Sequence, residues 1–261
     1  MAPQAAAAQT VLDALAADQL GAAACRSAAG TGASSWLHEP TAPNHHLTDP
    51  QLCIALRTRL NLDLPSCTGR CQHRRQDGTA CGHQLDAKGQ HARSCAVGGW
   101  LLRRHNAACA VLSDWAEQQG CLVCREVVLP NSAPDRPEAR MDMIIRPPGA
   151  GAIFVDLTVV SALTREALNH GSARRDGAAA TVAARHKRAK YPHCNVTPFV
   201  IEDHGRLGDE AIDLTKQLAP IDPVRRSKVI RLLHQSLGAV LQRHAADAVL
   251  AATRGTPVRA A

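Results

Sequence analysis

The sequence predicts an α/β protein in which one helix precedes three strands and a second helix precedes a fourth strand. Short runs rich in β-branched residues, separated by Pro- and Gly-rich turns, are typical of strands. Apolar residues at helical spacing indicate the helices that flank them. The predicted strands cover residues 121–129, 139–146, 152–160 and 195–202.

The helices are predicted from apolar stripes and from end signals. The first helix of the α/β region carries one stripe of Leu101, His105, Ala108, Leu112 and Trp115, and Gly120 fits its carboxyl-terminal cap. Asp222 and Pro223 are typical of a helix start and open a long helix that reaches about residue 251. The other predicted helices cover residues 8–24, 52–60 and 173–190.

Changes in composition divide the chain into four parts. Residues 1–35 form an Ala-rich leader, flexible or helical, and residues 36–98 contain a linker helix and a module rich in Cys, His, Gly and Arg. The α/β domain is expected over residues 99–215, and a helical trailer with a tail over residues 216–261. The chain is therefore long enough for one substantial core and a small accessory module.

Charge and composition favour a nucleic-acid partner. The chain has 30 Lys and Arg against 23 Asp and Glu, a formal net charge of +7, and only 2% aromatic residues. Contact with DNA backbone phosphates is therefore expected, with RNA as the other candidate, and base-stacking platforms are disfavoured. No apolar run reaches the ~20 residues of a membrane span. The ten Cys and the lack of an export signal favour an intracellular, reducing compartment.

A cluster of Cys and His predicts a structural zinc site. The expected ligands are Cys71, Cys81, His91 and Cys95, with Cys67 as the alternative to Cys71. Zinc prefers four such ligands in a tetrahedron. The segment has too few large apolar residues to fold without a cross-link such as a bound metal ion. The alternative is a set of scattered free thiols and surface histidines. A further pair, Cys121 and Cys124, is interpreted as strand packing because no second pair lies nearby in sequence.

Two isolated carboxylates predict a second metal site. Asp142 and Asp156 each lie inside an apolar strand, where a buried carboxylate is unfavourable unless it is paired or binds a cation. On adjacent strands the two can lie side by side and hold Mg²⁺ or Mn²⁺, with Thr158 on the same face. The next helix supplies Lys187 and Lys190 to stabilise charge on a phosphate. The alternatives are a structural pair neutralised by a nearby arginine, such as Arg140 or Arg146, and a solvated basic face for the lysines.

The order of these motifs resembles the restriction-enzyme-like endonuclease of non-LTR retrotransposon polyproteins over roughly residues 35–215. The resemblance is carried by the Cys and His motif of residues 81–95, by Arg103-Arg104-His105-Asn106, and by an Asp followed by Asp156-Leu-Thr-Val and Lys187-x-x-Lys-Tyr. It implies a restriction-endonuclease-like αβββαβ core of the PD-(D/E)xK type, preceded by a zinc module. The chain departs from the pattern at Met141, where the family has Pro, and at Thr158, where restriction enzymes have Lys.

The resemblance also implies roles and a location. Asp142 and Asp156 would be metal ligands, Lys187 the catalytic lysine with Lys190 as its alternative, and His105 and Asn106 would support the site. The implied activity is metal-dependent nicking of DNA, in the nucleus. Two alternatives stay open: a catalytically inactive zinc-containing nucleic-acid-binding protein, and a resolvase-like repair nuclease on the same fold.

Overall fold

The computed structural model describes residues 18–38, 42–129 and 140–254, and the chain is a mixed α/β protein with one four-stranded sheet in this part. The strands are β1 (Leu122–Val128), β2 (Arg140–Arg146), β3 (Ile153–Val160) and β4 (Val196–Glu202). The helices are α1 (Gln19–Ala29), α2 (Asp49–Arg59), α3 (Gln90–Ser94), α4 (Trp100–Gln118), α5 (Arg165–Asn169), α6 (Ala178–Lys190), α7 (Asp209–Leu218) and α8 (Pro223–Arg254).

The sheet has the order β1-β2-β3-β4. The first three strands are antiparallel, and β4 pairs parallel with β3, as a helical crossover through α5 and α6 requires. The β2–β3 register places Met143 opposite Val155. One step further along this register, Asp142 lies opposite Asp156. The predicted order of helix, three strands, helix and strand is therefore present, with α5 as an added short helix.

The main core lies between the sheet, α4, α7 and α8. Leu112 and Trp115 of α4, Leu157 and Phe199 of the sheet, and Leu237 of α8 are buried together there. Helix α4 ends where the sequence predicts, because Gly120 adopts a left-handed conformation with a φ of 84°, which is the usual conformation of a glycine that follows a helix. This packing fixes one face of α4 against β2 and β3, where the two aspartates lie.

The C-terminal helix α8 is 32 residues long and connects the parts of the protein. It packs against α4, and its distal end forms a second core with the Cys-rich module through Ala246, Val249 and Ala252. It also contacts the segment around Trp36, whose side chain lies against Gly238. The sequence predicted this helix but not these contacts.

Three differences from the sequence predictions have simple causes. Helix α7 was not predicted, because its ten residues carry only a short apolar stripe. The amino-terminal helix begins at Gln19 after an Asp18 cap, and the predicted portion before residue 18 lies outside the described residues. Cys121 packs in the core as expected, but Cys124 is exposed and accepts a hydrogen bond from Arg146, so packing does not explain it.

Candidate functional site: a metal-ligand cluster and an acidic pair

The first candidate site is a cluster of three thiols and one imidazole. Potential ligand atoms of Cys71, Cys81, His91 and Cys95 all lie within 4.8 Å of one another. The Sγ atoms of Cys81 and Cys95 are 3.6 Å apart, and Cys81 Sγ is 3.5 Å from His91 Nε2. A zinc–sulfur bond of about 2.3 Å gives a tetrahedron edge of about 3.8 Å, so this cluster has the size of a zinc site. The four residues could hold zinc.

Local structure brings these residues together across a long sequence separation. Residues 70–84 fold back on themselves through short bridges between Arg70 and Gln84 and between Arg74 and Ala80. Asp86 then starts α3, because its carboxylate accepts hydrogen bonds from two backbone N–H groups of the first turn. The donors are Gln90, at 2.8 Å, and His91, at 2.7 Å. These contacts bring Cys71 and Cys81 close to His91 and Cys95.

The cluster favours Cys71 over Cys67 as the fourth ligand. Cys67 is buried in the adjoining apolar core and lies outside the group of converging atoms. Burial raises the pKa of the Cys95 thiol to about 12 and also raises that of Cys71. A cation at the centre would stabilise the thiolates that burial disfavours.

The second candidate site contains the two aspartates predicted from the strands. Asp156 is 2% exposed, and the Asp142 side chain is 15% exposed. Asp142 Oδ2 accepts a hydrogen bond from the backbone N–H of Leu157 at 2.7 Å, which ties β2 to β3 at this point. His105 Nε2 of α4 lies 3.3 Å from Asp142 Oδ1. The carboxylates are therefore neighbours, as the strand pattern predicted.

Lysines of α6 neutralise the deeper carboxylate. Lys187 donates a hydrogen bond to Asp156 Oδ1, and Lys190 Nζ forms an ion pair with Asp156 Oδ2 at 3.5 Å. Asp156 Oδ2 is nevertheless buried without a hydrogen-bond partner among the described residues. The predicted neighbouring arginines, Arg140 and Arg146, are exposed. Asp156 is therefore neutralised by lysines of α6, and not by a neighbouring arginine as the alternative of a structural pair expected.

Burial and charge move the pKa values of the two carboxyls in opposite directions. Burial works to raise the pKa of Asp142, but the hydrogen bond and charge of His105, with the charge of Lys187, outweigh it and lower the pKa. Burial raises the pKa of Asp156, and the negative charge of Asp142 adds to this rise against the opposing effect of Lys187. An additional positive charge between the carboxylates would favour the ionised form of both.

Two further residues near Asp142 were missed by the sequence interpretation. Cys109, one turn beyond His105 on α4, has its Sγ atom 3.5 Å from His105 Nε2, and His105, Cys109 and Asp142 form a second group of potential ligands within 4.8 Å. Glu126 lies in β1 at the position opposite Asp142, with a left-handed φ of 52°. In the sequence, only its charge among the apolar residues of β1 indicated that Glu126 could belong to the site.

The other residues of the Arg103-Arg104-His105-Asn106 motif lie away from the acidic pair. Asn106 is exposed on α4, next in sequence to His105. Arg104 of the same motif is only 8% exposed, because the loops that follow β3 and β4 cover it on α4. Arg103 is exposed and lies over the Trp100 ring, 4.5 Å from its centroid. Of these residues, only His105 contacts the acidic pair directly.

A groove of about 570 Å³ begins beside His105. Its lining includes Thr158 and Val160 of β3 and Val182 and His186 of α6. Thr158 lies two residues beyond Asp156 and therefore on the same face of the sheet. The lining includes His105, which contacts Asp142, but neither aspartate itself.

Neither a scan against protein-family models nor a search of curated proteins returns a match to this chain. In the described residues, no helix is both long and apolar enough to cross a membrane. The geometry of the two sites is therefore the basis for a functional assignment.

Proposed function

We propose that the protein is a divalent-metal-dependent endonuclease of the restriction-endonuclease-like kind, which nicks DNA phosphodiesters. The observation that carries the proposal is the pair Asp142 and Asp156 on adjacent strands, with Lys187 hydrogen-bonded to Asp156 and His105, which lines the groove, beside Asp142. The element order around this pair agrees with the αβββαβ core that the family resemblance implies.

The residues present fit a hard cation such as Mg²⁺ or Mn²⁺. Asp156 Oδ2 is a buried carboxylate oxygen without a hydrogen-bond donor among the described residues, and such an atom is a natural cation ligand. Asp142 would supply the second carboxylate, and Glu126 is a third carboxylate at the same level of the sheet. The nearby imidazole of His105 is more compatible with Mn²⁺ than with Mg²⁺.

The protein's own groups have separate tasks in this proposal. A bound divalent cation activates water and stabilises negative charge on the phosphate. His105 holds Asp142 from α4, and the Leu157 backbone holds its other oxygen, so the carboxylate is oriented before substrate arrives. Lys187, anchored on Asp156, carries a positive charge that would stabilise the developing phosphate oxygens.

Zinc in the Cys71, Cys81, His91 and Cys95 cluster would be structural. All four ligand positions are protein side chains, which is typical of closed structural sites. The module carries the exposed side chains of Arg70, Arg74 and Arg75. With Arg185 and Arg188 exposed on α6, they provide a basic surface for backbone phosphates of DNA, in the nucleus under this proposal.

A second function, nucleic-acid binding without catalysis, is favoured by one observation. Lys187 already hydrogen-bonds to Asp156, and a backbone N–H already bonds to Asp142, so the acidic pair has partners without a cation. Such an arrangement also suits a purely structural pair. A protein of this kind would bind DNA or RNA through its zinc module and basic helices, and it would not bind Mn²⁺ at the two aspartates.

The test is nicking of supercoiled plasmid with Mg²⁺, Mn²⁺ or excess EDTA. We expect nicked circles with a divalent cation only, and a loss of at least about 10²-fold in rate for Asp142→Asn and for Asp156→Asn. Asp114→Asn is the matched control, because Asp114 is exposed on α4. DNA affinity of all variants, measured by fluorescence anisotropy, should stay near that of the parent.

Two results would reject the endonuclease. One is activity that persists in EDTA or in either site variant. The other is a folded parent protein that binds DNA but nicks it with neither cation, which would leave the non-catalytic function. Faster cleavage of branched than of linear duplex would instead identify a resolvase-like nuclease.

A further inference from the structure

A small cavity lies beside the groove, between α3, α4 and the loop that follows β3. Its volume is about 130 Å³, and we call it the arginine cavity. Its polar lining consists mainly of Arg93, Ser94, Arg104, Ser161, Thr164 and Asp203. Ser94, Arg104, Ser161 and Thr164 also line the larger groove, so the two spaces adjoin.

The two arginines of this cavity are buried and incompletely satisfied. Arg93 is 6% exposed and Arg104 is 8% exposed. The Nε atom of each is buried without an acceptor among the described residues. A buried guanidinium is unfavourable unless an anion and hydrogen-bond acceptors surround it. The cavity therefore contains positive charge that the protein itself does not fully neutralise.

Asp203 neutralises only part of this charge. Its Oδ2 atom lies 3.6 Å from Arg93, and its Oδ1 atom lies 3.0 Å from Nδ1 of the buried His204. Within the described ranges, Arg104 forms no ion pair with any carboxylate. Two arginines and one aspartate leave a net positive charge in the cavity. The other nearby acid, Glu166, is exposed on the groove wall.

We propose that the arginine cavity is a binding site for a phosphate group. Arginine presents a planar fork of N–H donors that matches phosphate oxygens. Ser161 Oγ accepts a hydrogen bond from the Leu163 backbone, which leaves its O–H free to donate to the ligand. The guanidinium charges of Arg93 and Arg104, which line the cavity, then gain a second anion besides Asp203.

The size of the cavity limits what enters it. Its volume of about 130 Å³ is only a few times that of one water molecule in the liquid. Such a space suits a phosphate with its oxygens and excludes a whole nucleotide. A sugar and base attached to that phosphate would extend into the groove toward His105. Placement of a nucleic-acid strand end in this way rests on the proposed nuclease function, whereas binding of inorganic phosphate does not.

The experiment uses the full chain with zinc bound and without other divalent cations. Thermal stabilisation by inorganic phosphate is measured, together with the affinity for 5′-phosphorylated and 5′-hydroxyl oligonucleotides of one sequence. Ser94→Glu places a carboxylate at the exposed rim of the cavity, and Ser94→Gln is its neutral control. We expect phosphate to stabilise the parent, and Ser94→Glu to weaken phosphate binding at least about tenfold relative to Ser94→Gln.

The outcomes separate the source of the phosphate and the two proposals. Tighter binding of the phosphorylated oligonucleotide supports the site and identifies a strand end as ligand. Equal binding of both oligonucleotides, with stabilisation by inorganic phosphate, supports the site and identifies free phosphate. Absence of any phosphate effect in the parent overturns the site, as does equal affinity in the two Ser94 variants. A protein that never nicks but loses phosphate binding in Ser94→Glu retains the site without the nuclease.

Discussion

An aspartate inside an apolar strand needs a partner, and the structure gives Asp142 and Asp156 different ones. Asp142 is held by His105 and by a backbone N–H, whereas Asp156 is held by lysines of α6. The two environments move the carboxyl pKa values apart. At the residue scale, two lysines contact Asp156, and the first prediction concerns which of them assists catalysis.

Lys187→Ala should reduce nicking more than Lys190→Ala. Lys187 hydrogen-bonds to Asp156, whereas the Lys190 ammonium is 3.5 Å from Asp156 and also lies over the Tyr191 ring. We expect a loss of about 10²-fold in kcat for Lys187→Ala, with KM little changed. The reverse order of the two variants would assign the catalytic role to Lys190.

Asp203→Asn should destabilise the fold by about 3–5 kcal/mol near neutral pH, because it removes the carboxylate that forms an ion pair with the buried Arg93. Burial works to raise the Asp203 pKa, but the charge and hydrogen bond of His204 and the charges of the two arginines outweigh it and hold the pKa well below its usual range. This carboxylate therefore stabilises the fold above the unfolded-state pKa of about 3.9.

That contribution should shrink as the pH falls below about 3.9 toward the lower folded-state pKa, because the unfolded chain then binds the proton first. Urea unfolding of both proteins from pH 7 to pH 3 measures the difference. A gap between the parent and Asp203→Asn that widens toward low pH would contradict this account.

At the scale of elements, α8 and the Cys-rich module depend on each other. The backbone N–H of Gln72 donates to the Ala252 carbonyl at 2.9 Å, and His73 Nε2 lies 2.8 Å from the Ala248 carbonyl. Val249 is fully buried among the cysteine side chains and Leu64. The module has little core of its own, so the helix supplies its apolar surface.

Val249→Asp should therefore release the module and reduce its retention of zinc. Burial of an unpaired carboxylate is unfavourable by several kcal/mol, which exceeds what this small core can tolerate. Val224→Asp is the control, since Val224 lies on the same helix and is 80% exposed. Zinc content after dialysis and hydrogen exchange of residues 67–95 report the result, and equal zinc retention in both variants would show that the helix is not needed.

At the scale of the whole molecule, the net charge of +7 comes mainly from basic residues of the module, α6 and α8. Binding to duplex DNA should fall by orders of magnitude between about 50 and about 200 mM salt, because several phosphate contacts release counterions. Fluorescence anisotropy across that range checks it for the parent protein. An affinity that does not change with salt would exclude a surface that binds mainly through phosphates.

The sequence by itself determined the strands, the long terminal helix, most of the cluster of possible metal ligands and the pairing of the two aspartates. These follow from local signals: β-branched runs, an Asp-Pro helix start, and carboxylates or thiols in places where they need a partner. The choice between Cys67 and Cys71 was left open by the sequence, and the structure brings Cys71 into the cluster.

Only the tertiary structure decided which distant side chains meet. The burial of Arg104, the approach of Cys109 and Glu126 to Asp142, and the docking of the module on α8 depend on contacts between residues far apart in sequence. Periodicity shows which face of an element is buried, but it does not show which other element covers that face. The arginine cavity lies between α3, α4 and the loops after two strands, and no local pattern specifies such a meeting.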